Sequence, residues 1–266
     1  MPGEDFGAAA GTLTMRRVLI FQHMDHDNAG RFMDFFAEDG FMPKAIRLWE
    51  GQPVPALDTY DLLLVLGGAQ DTWQTDEYPW LVAEKEAIRE WTMVLAKPYI
   101  GLCLGHQLLA DALGGTVGLA SRSEVGVKEV MVTTEGLRHP FFTGISGTYS
   151  VVQWHFAEVK TVPPSAAVLA ASSDTAVQAM AIDRHAIGLQ FHAEFTPQTV
   201  ASWESLPGYI ASLEANLGPG AYERVAAQAY PMMPGLAVLT RRIYDNLLGA
   251  SGLKKKSWPS KSMASD

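Results

Sequence analysis

The chain has 266 residues, 48% apolar and 18% charged, with a formal net charge of −9. That is apolar material enough for one large α/β domain or two small ones, and too few charges for wholesale disorder. The acidic balance speaks against a nucleic-acid partner. No stretch has the length and apolar character of a membrane helix, and the single cysteine excludes an intrachain disulfide and fits a reducing cytoplasm.

Residues 1–14 lack periodicity and are expected to form a flexible tail; their acidic, Ala/Gly-rich character is not that of a signal peptide. Arg16–Gln22 reads as a first buried strand. The loop His23-Met24-Asp25-His26-Asp27-Asn28 follows. Its two His and two Asp invite a metal reading, but no second cluster with ligand spacing accompanies them, and such a loop also serves as turn and helix cap. Arg31–Asp39 has helical spacing (Phe32, Phe35, Phe36) and stops at Gly40, a natural C-cap. Lys44–Leu48 suggests a second strand. Asp61–Leu66 is continuously apolar, as in a parallel strand covered on both faces, and ends at Gly67-Gly68. Glycines at that edge let the backbone approach a ligand closely, though an ordinary βα turn fits them equally.

Pro79–Ala96 is expected to be a long helix. Then comes Pro98-Tyr99-Ile100, a buried strand, running into Gly101-Leu102-Cys103-Leu104-Gly105-His106-Gln107 and a helix that stops at Gly114-Gly115. Strand, sharp turn and helix, with Cys103 between two glycines, is the context of a nucleophile elbow. The helix N-terminus favours the thiolate, which is the reactive form. The competing reading is a buried structural cysteine.

From Val125 to Ile182 the pattern becomes β-rich: Val127–Thr133, Tyr149–His155, Ala167–Ala171 and Ala176–Ile182 are short strands of a mixed or antiparallel extension. Ala186–Phe191 is another buried strand, delivering His192-Ala193-Glu194 at its end. Helical pattern resumes after Thr196-Pro197. It runs through Trp203–Leu217, a separate piece Ala221–Ala229 and a last amphipathic helix Leu236–Leu248, before a polar Lys-rich tail from about Ala250. Alternating strands and helices define an α/β fold with a doubly wound, mostly parallel sheet, a small β extension and C-terminal helices. The expected organisation is a tail (1–14), one α/β domain (15–200), a helical extension packed on it (201–249) and a second tail (250–266).

A thiolate nucleophile needs a proton partner, and that partner an orienting carboxylate. His192 and Glu194 are two residues apart, so in extended chain both side chains share one face, at the strand edge where Cys103 also lies. His106, His139, His155 and His185 are weaker candidates: His155 at a strand end suits a site lining, and His185 suits the surface. The lone-histidine alternative for His192 is a satisfied core or loop residue.

The blocks Gly101–Gln107 and Gly188-Leu189-Gln190-Phe191-His192-Ala193-Glu194-Phe195-Thr196 together resemble the class I glutamine amidotransferases, as does their separation of roughly ninety residues. The likeness runs from about Val18 to Thr196. Tyr78–Leu81 and Gln153-Trp154-His155 resemble standalone members similar to the glutaminase domain of GMP synthetase. The resemblance implies a flavodoxin-like sheet, with Cys103 as nucleophile, His192 as base and Glu194 as its orienting acid. It further implies an oxyanion site at Gly67, Gly68 and Leu104, a contact from Gln107 to the glutamyl part of the substrate, and no cofactor or metal. Glu129 reads better as a surface carboxylate. Two departures stand out. Ala193 replaces the family's usual Pro, which would stiffen the His–Glu spacer, and Ala69 follows Gly67-Gly68 where many members have Pro.

The activity so implied is hydrolysis of a γ-glutamyl amide through a γ-glutamyl thioester. The partner is a small γ-glutamyl substrate. Without a P-loop or other phosphate motif, the chain is either a self-sufficient γ-glutamyl amide or peptide hydrolase, the favoured reading, or a glutaminase subunit feeding a separate synthase. The C-terminal helices would then cover the mouth of the site or form a homodimer surface. A non-catalytic binding protein on this fold is the alternative of another class; loss of Cys, His or Glu would mark it, and all three are present.

Overall fold

A computed structural model describes residues 15–253; the tail expected at 1–14, and the expected second tail (250–266) beyond residue 253, lie outside the described residues. Its centre is a nine-stranded sheet. In chain order the strands are β1 (Arg16–Gln22), β2 (Phe41–Arg47), β3 (Leu62–Val65), β4 (Tyr99–Leu102), β5 (Thr116–Val132), β6 (Thr148–Thr161), β7 (Ala166–Ala171), β8 (Ala179–Ile182) and β9 (Ala186–Leu189). They are arranged as β2-β1-β3-β4-β9-β8-β7-β5-β6. The first five of that order are mutually parallel and the rest antiparallel. Every residue of β3, β4 and β9 is buried, which is why these segments read as unbroken apolar runs.

Helices cover both faces. On one lie α2 (Trp80–Arg89) and α3 (Leu104–Ala112), packing Leu81, Ile88, Leu108 and Leu109 against Leu63, Val65 and Tyr99. On the other lie α1 (Arg31–Asp39) and the C-terminal helices α4 (Pro197–Ser202), α5 (Pro207–Leu217) and α6 (Ala221–Ala250), whose Phe32, Phe36, Tyr244 and Leu247 close over Ile20, Leu64 and Ile187. The helix expected over 79–96 continues past Arg89 as a π-helical turn, Glu90–Val94.

Three sequence expectations are corrected. The strands expected at Val127–Thr133 and Tyr149–His155 are the inner parts of one long antiparallel hairpin, β5 with β6, broken by an irregularity between Leu119 and Glu124. Its outer part includes exposed residues such as Leu119, so no burial pattern announces it. The two helical pieces expected at 221–229 and 236–248 are a single helix, α6, that also absorbs the expected start of the tail at Ala250. Pro231 and Pro234 sit inside it on its exposed side. Each removes one backbone hydrogen bond, while the buried stripe Ala229, Met233, Leu236, Ile243 and Leu247 stays anchored on the sheet and carries the helix through.

Because β1, β3, β4 and β9 are parallel, their C-terminal ends share one edge. Val65 is opposite Gly101, and Gly101 opposite Gly188. The loops at His23, Gly67, Cys103 and Gln190 therefore converge, at the edge where open α/β sheets bind ligands.

Candidate active site

Cys103 links β4 to α3 at φ 50°, ψ −101°, a left-handed backbone seen at only two other non-glycine positions among the described residues. The turn is held from both sides: the Cys103 N–H donates to Leu189 O (2.9 Å) and the Gly105 N–H to Leu66 O (3.1 Å). A Cβ on Gly101 would stand 2.5 Å from Gly105 O, and one on Gly105 would strike the Val65 carbonyl, so backbone crowding excludes side chains at both flanking positions. The thiol is nearly buried, 3.8 Å from Trp154 O and 3.7 Å from Gln190 Nε2.

His192 and Glu194 are joined by a hydrogen bond of 2.6 Å between Nδ1 and Oε1. They are not in extended chain as expected. β9 ends at Leu189, and the next residues fold into a tight turn closed by the Ala193 N–H donating to Phe191 O at 3.1 Å. A proline at 193 has no such N–H, so this turn draws on the very residue that departs from the family pattern. Thr240 of α6 secures it by donating to Ala193 O at 2.9 Å. The Arg31 N–H at the start of α1 donates to Glu194 O (3.0 Å), and the Arg31 guanidinium reaches Phe195 O. Phe195 stacks on the imidazole at 4.2 Å. Burial opposes charge on His192, but the Glu194 carboxylate and then the Cys103 thiol, which hydrogen-bonds the ring, hold it well above the ordinary imidazole range. Nε2 is thereby poised to exchange a proton with sulfur.

Gly68 and Leu104 line the same cavity as Cys103. Neither backbone N–H has a partner among the described residues. Two such donors beside a nucleophile can bind the oxygen of a tetrahedral intermediate. A cavity of about 340 Å³, within the range of small-molecule sites, opens over Cys103, Leu104, Gly68, Gln107 and His192. Gly67 lies behind this wall, where a Cβ would stand 3.3 Å from His192 Cε1 and 3.6 Å from Cys103 Cβ. Gln107 spends its amide N–H groups on Ala157 O (3.0 Å) and Gln190 Oε1 (3.1 Å), which fixes its side chain at the cavity wall with the oxygen as its free acceptor.

The remaining histidines separate cleanly. His155 lines the cavity but is tied by Nε2 to Glu124 (3.1 Å) and by Nδ1 to Ala157 O (2.9 Å). His106 is fully buried under Gly188, and burial pushes it down to about 3. His139 caps the turn at Pro140. His185 is not a free surface residue; it is partly buried, 2.9 Å from Thr92 O. Glu129 is exposed on β5, away from the cavity.

Sequence reasoning overlooked several neighbours. Gln190, two residues before His192, bridges Gln107 and the thiol. Asp27, from the polar loop after β1, lines the cavity and accepts a hydrogen bond from Tyr209 of α5 at 3.1 Å. Burial, with Glu194 acting in the same direction, pushes its carboxyl up against the opposing pull of His192 and Tyr209. That loop was conspicuous in sequence for its His and Asp residues. Among the described residues no group of three or more His, Cys, Asp or Glu is arranged to hold a metal. Likewise no helix there is long and apolar enough to cross a membrane.

Fold and site together describe a doubly wound α/β protein with a cysteine elbow facing a His–Glu pair. The chain belongs to the class-I glutamine amidotransferase family, whose model matches residues 45–202. It is 30% identical to a glutamine amidotransferase-like protein of Salmonella typhimurium over 69% of this chain and 78% of that one. It is 28% identical to γ-glutamyl peptidase 5 of Arabidopsis thaliana over 63% and 67%. A GMP synthase of Thermomicrobium roseum is 40% identical over 39% of this chain and 19% of its own length. Among solved structures, a glutamine amidotransferase of Thermotoga maritima superposes with a TM-score of 0.80 at 26% identity, covering 88% of this chain and 98% of that one. The family and its relatives support enzyme activity in general.

Proposed function

We propose that the protein hydrolyses the amide bond of a γ-glutamyl amide or peptide, using Cys103, His192 and Glu194 as a triad. One observation carries this reading: one cavity is lined by the strained Cys103, by Gly68 and Leu104, whose N–H groups are unpaired, and by His192, which is held by Glu194 at 2.6 Å. The Cys103 thiolate attacks the γ-carbonyl carbon, and Gly68 and Leu104 stabilise the resulting oxyanion. The C–N bond breaks as His192 gives its proton to the departing amine, leaving a γ-glutamyl thioester. Water then attacks the thioester carbon, its proton passing to His192. Glutamate departs and the thiol is restored. Glu194 orients the imidazole throughout. The Gln107 amide oxygen, free of other partners at the cavity wall, accepts from the α-ammonium of the glutamyl group.

A self-sufficient hydrolase is favoured over a subunit that delivers ammonia to a synthase. Gly208, Tyr209 and Ser212 of α5 complete the cavity wall from within this chain, and a γ-glutamyl peptidase is among the relatives matched over most of their length. The GMP synthase relatives support the subunit alternative. The single cysteine fits a reducing compartment, and we place the protein in the cytoplasm. The deciding experiment is a substrate panel with purified protein: glutamine, γ-glutamyl p-nitroanilide and γ-glutamyl dipeptides. Amide and peptide turnover exceeding glutamine turnover supports the hydrolase; negligible turnover of all of them refutes it. Cys103→Ala is expected to fold normally and lose turnover completely.

A further inference from the structure

His23 follows β1 directly and is buried, as is Glu84 of α2. Its Nε2 lies 2.8 Å from Glu84 Oε1 and its Nδ1 2.6 Å from Gly67 O, while Trp80 stacks on the ring at 5.5 Å. A backbone carbonyl can only accept, so Nδ1 carries a hydrogen whatever the state of Nε2. Burial works against charge on this ring, but Glu84 and the Gly67 carbonyl hold it above the usual imidazole range. His23 does not line the cavity and cannot touch a substrate.

Its target is one face of a peptide unit whose other face is the Gly68 N–H. The bond is trans, as are all those described, so the Gly67 C=O and the Gly68 N–H point in opposite directions. Whatever anchors the carbonyl aims the amide. The need for an anchor is specific to this segment: two successive glycines leave the 67–68 peptide free to rotate, because no Cβ blocks the alternative orientation. If it rotated, the Gly68 N–H would change direction, and a buried imidazole N–H would lose its acceptor.

We propose that His23, braced by Glu84, is a positioning residue that locks the Gly67–Gly68 peptide with its N–H directed at the oxyanion site beside Cys103. This rests on the reading of Gly68 as an oxyanion donor given above. It adds that the donor is set from behind, by a side chain of a different strand and helix, and not by the Gly-Gly segment itself.

Two substitutions separate the role from mere packing. His23→Asn carries an amide N–H near the position of Nδ1 and can still reach Gly67. His23→Gln places its amide near Nε2, toward Glu84, and leaves Gly67 unanchored. With γ-glutamyl p-nitroanilide, His23→Gln is expected to lose on the order of 10²-fold in kcat, the size of one oxyanion donor, with KM changed less than about threefold. His23→Asn is expected to recover most of that loss. Alkylation of Cys103 by iodoacetamide, which develops no oxyanion, is expected to proceed at the wild-type rate in both. Equal kcat in the two variants, or a parallel loss of alkylation, overturns the proposal. A readout free of turnover is the amide 15N shift of Gly68, expected to move in His23→Gln and to stay near wild type in His23→Asn. If the wild-type protein cleaves no γ-glutamyl amide, the enzymatic reading fails. The Gly68 shift still decides the anchor, and an unmoved shift in His23→Gln overturns it.

Discussion

Gly101→Ala tests whether the elbow is set by backbone crowding. The new Cβ would stand 2.5 Å from Gly105 O, 2.6 Å from Gly105 C and 2.8 Å from the Tyr99 ring. Reaching even 3.0 Å requires the first turn of α3 to retreat by at least 0.5 Å. It also crowds the bond in which Tyr99 Oη donates to Gly105 O at 2.8 Å. Overpacking of this kind costs about 1–3 kcal/mol, and a weakened buried hydrogen bond about 1 kcal/mol more. Against this, removing a glycine from the unfolded chain gains about 0.5–1 kcal/mol. The net is a loss of about 1–3 kcal/mol, read as a melting temperature lower by about 3–10 °C for a protein of this size. Retreat of α3 carries the Leu104 N–H with it, and a displacement approaching 1 Å at a reacting centre can lower the rate about 10²-fold. The control is Gly249→Ala in α6, where the new Cβ meets nothing within 4 Å; helix propensity alone is expected to raise stability there by about 0.5–1 kcal/mol. Calorimetry on the three proteins, with turnover of γ-glutamyl p-nitroanilide, decides the matter. Shifts of the same sign for the two variants, or a Gly101→Ala protein that melts and turns over like wild type, would refute the crowding argument.

Other consequences follow from the turn that carries the His–Glu pair. Glu194 raises the His192 pKa, so Glu194→Gln should lower it. The imidazolium that protonates the leaving amine is then lost at lower pH, and the alkaline limb of the kcat/KM profile is expected to move down in pH; an unmoved limb would show that Glu194 does not act on His192 electrostatically. Thr240→Val keeps the side-chain shape but removes the hydroxyl that donates to Ala193 O. It is expected to cost about 1–3 kcal/mol for an unpaired buried carbonyl and to lower kcat further, by loosening the turn at Ala193; a variant with wild-type stability and rate would mean the contact is incidental.

The parallel half of the sheet was legible in the sequence because strands covered on both faces must be apolar throughout, as in Leu62–Leu66 and Ala186–Leu189. The cysteine elbow was legible for a related reason. A cysteine between two glycines, at a strand-to-helix junction, satisfies a steric requirement that few other arrangements meet. The pairing of His192 with Glu194 followed from their spacing, although the extended geometry assumed for it was replaced by a turn. Hairpin length and helix continuity were hidden, since exposed strand residues such as Leu119 carry no burial pattern and a helix anchored on one face tolerates Pro231 and Pro234 on the other.

By itself, then, the sequence determined the order of elements, the elbow and the residues of a Cys–His–Glu set, because each follows from neighbours in the chain. Only the tertiary structure decided what surrounds them. Gln190 against the thiol, Tyr209 on Asp27, Thr240 on Ala193 and His23 behind Gly67 join positions separated by 47 to 182 residues in all but one case, and by 44 in that of His23. Local pattern reports which face of an element is buried. It does not report which distant side chain meets a given backbone oxygen, and in this site those long-range hydrogen bonds hold the turn at Ala193 and the Gly67–Gly68 peptide.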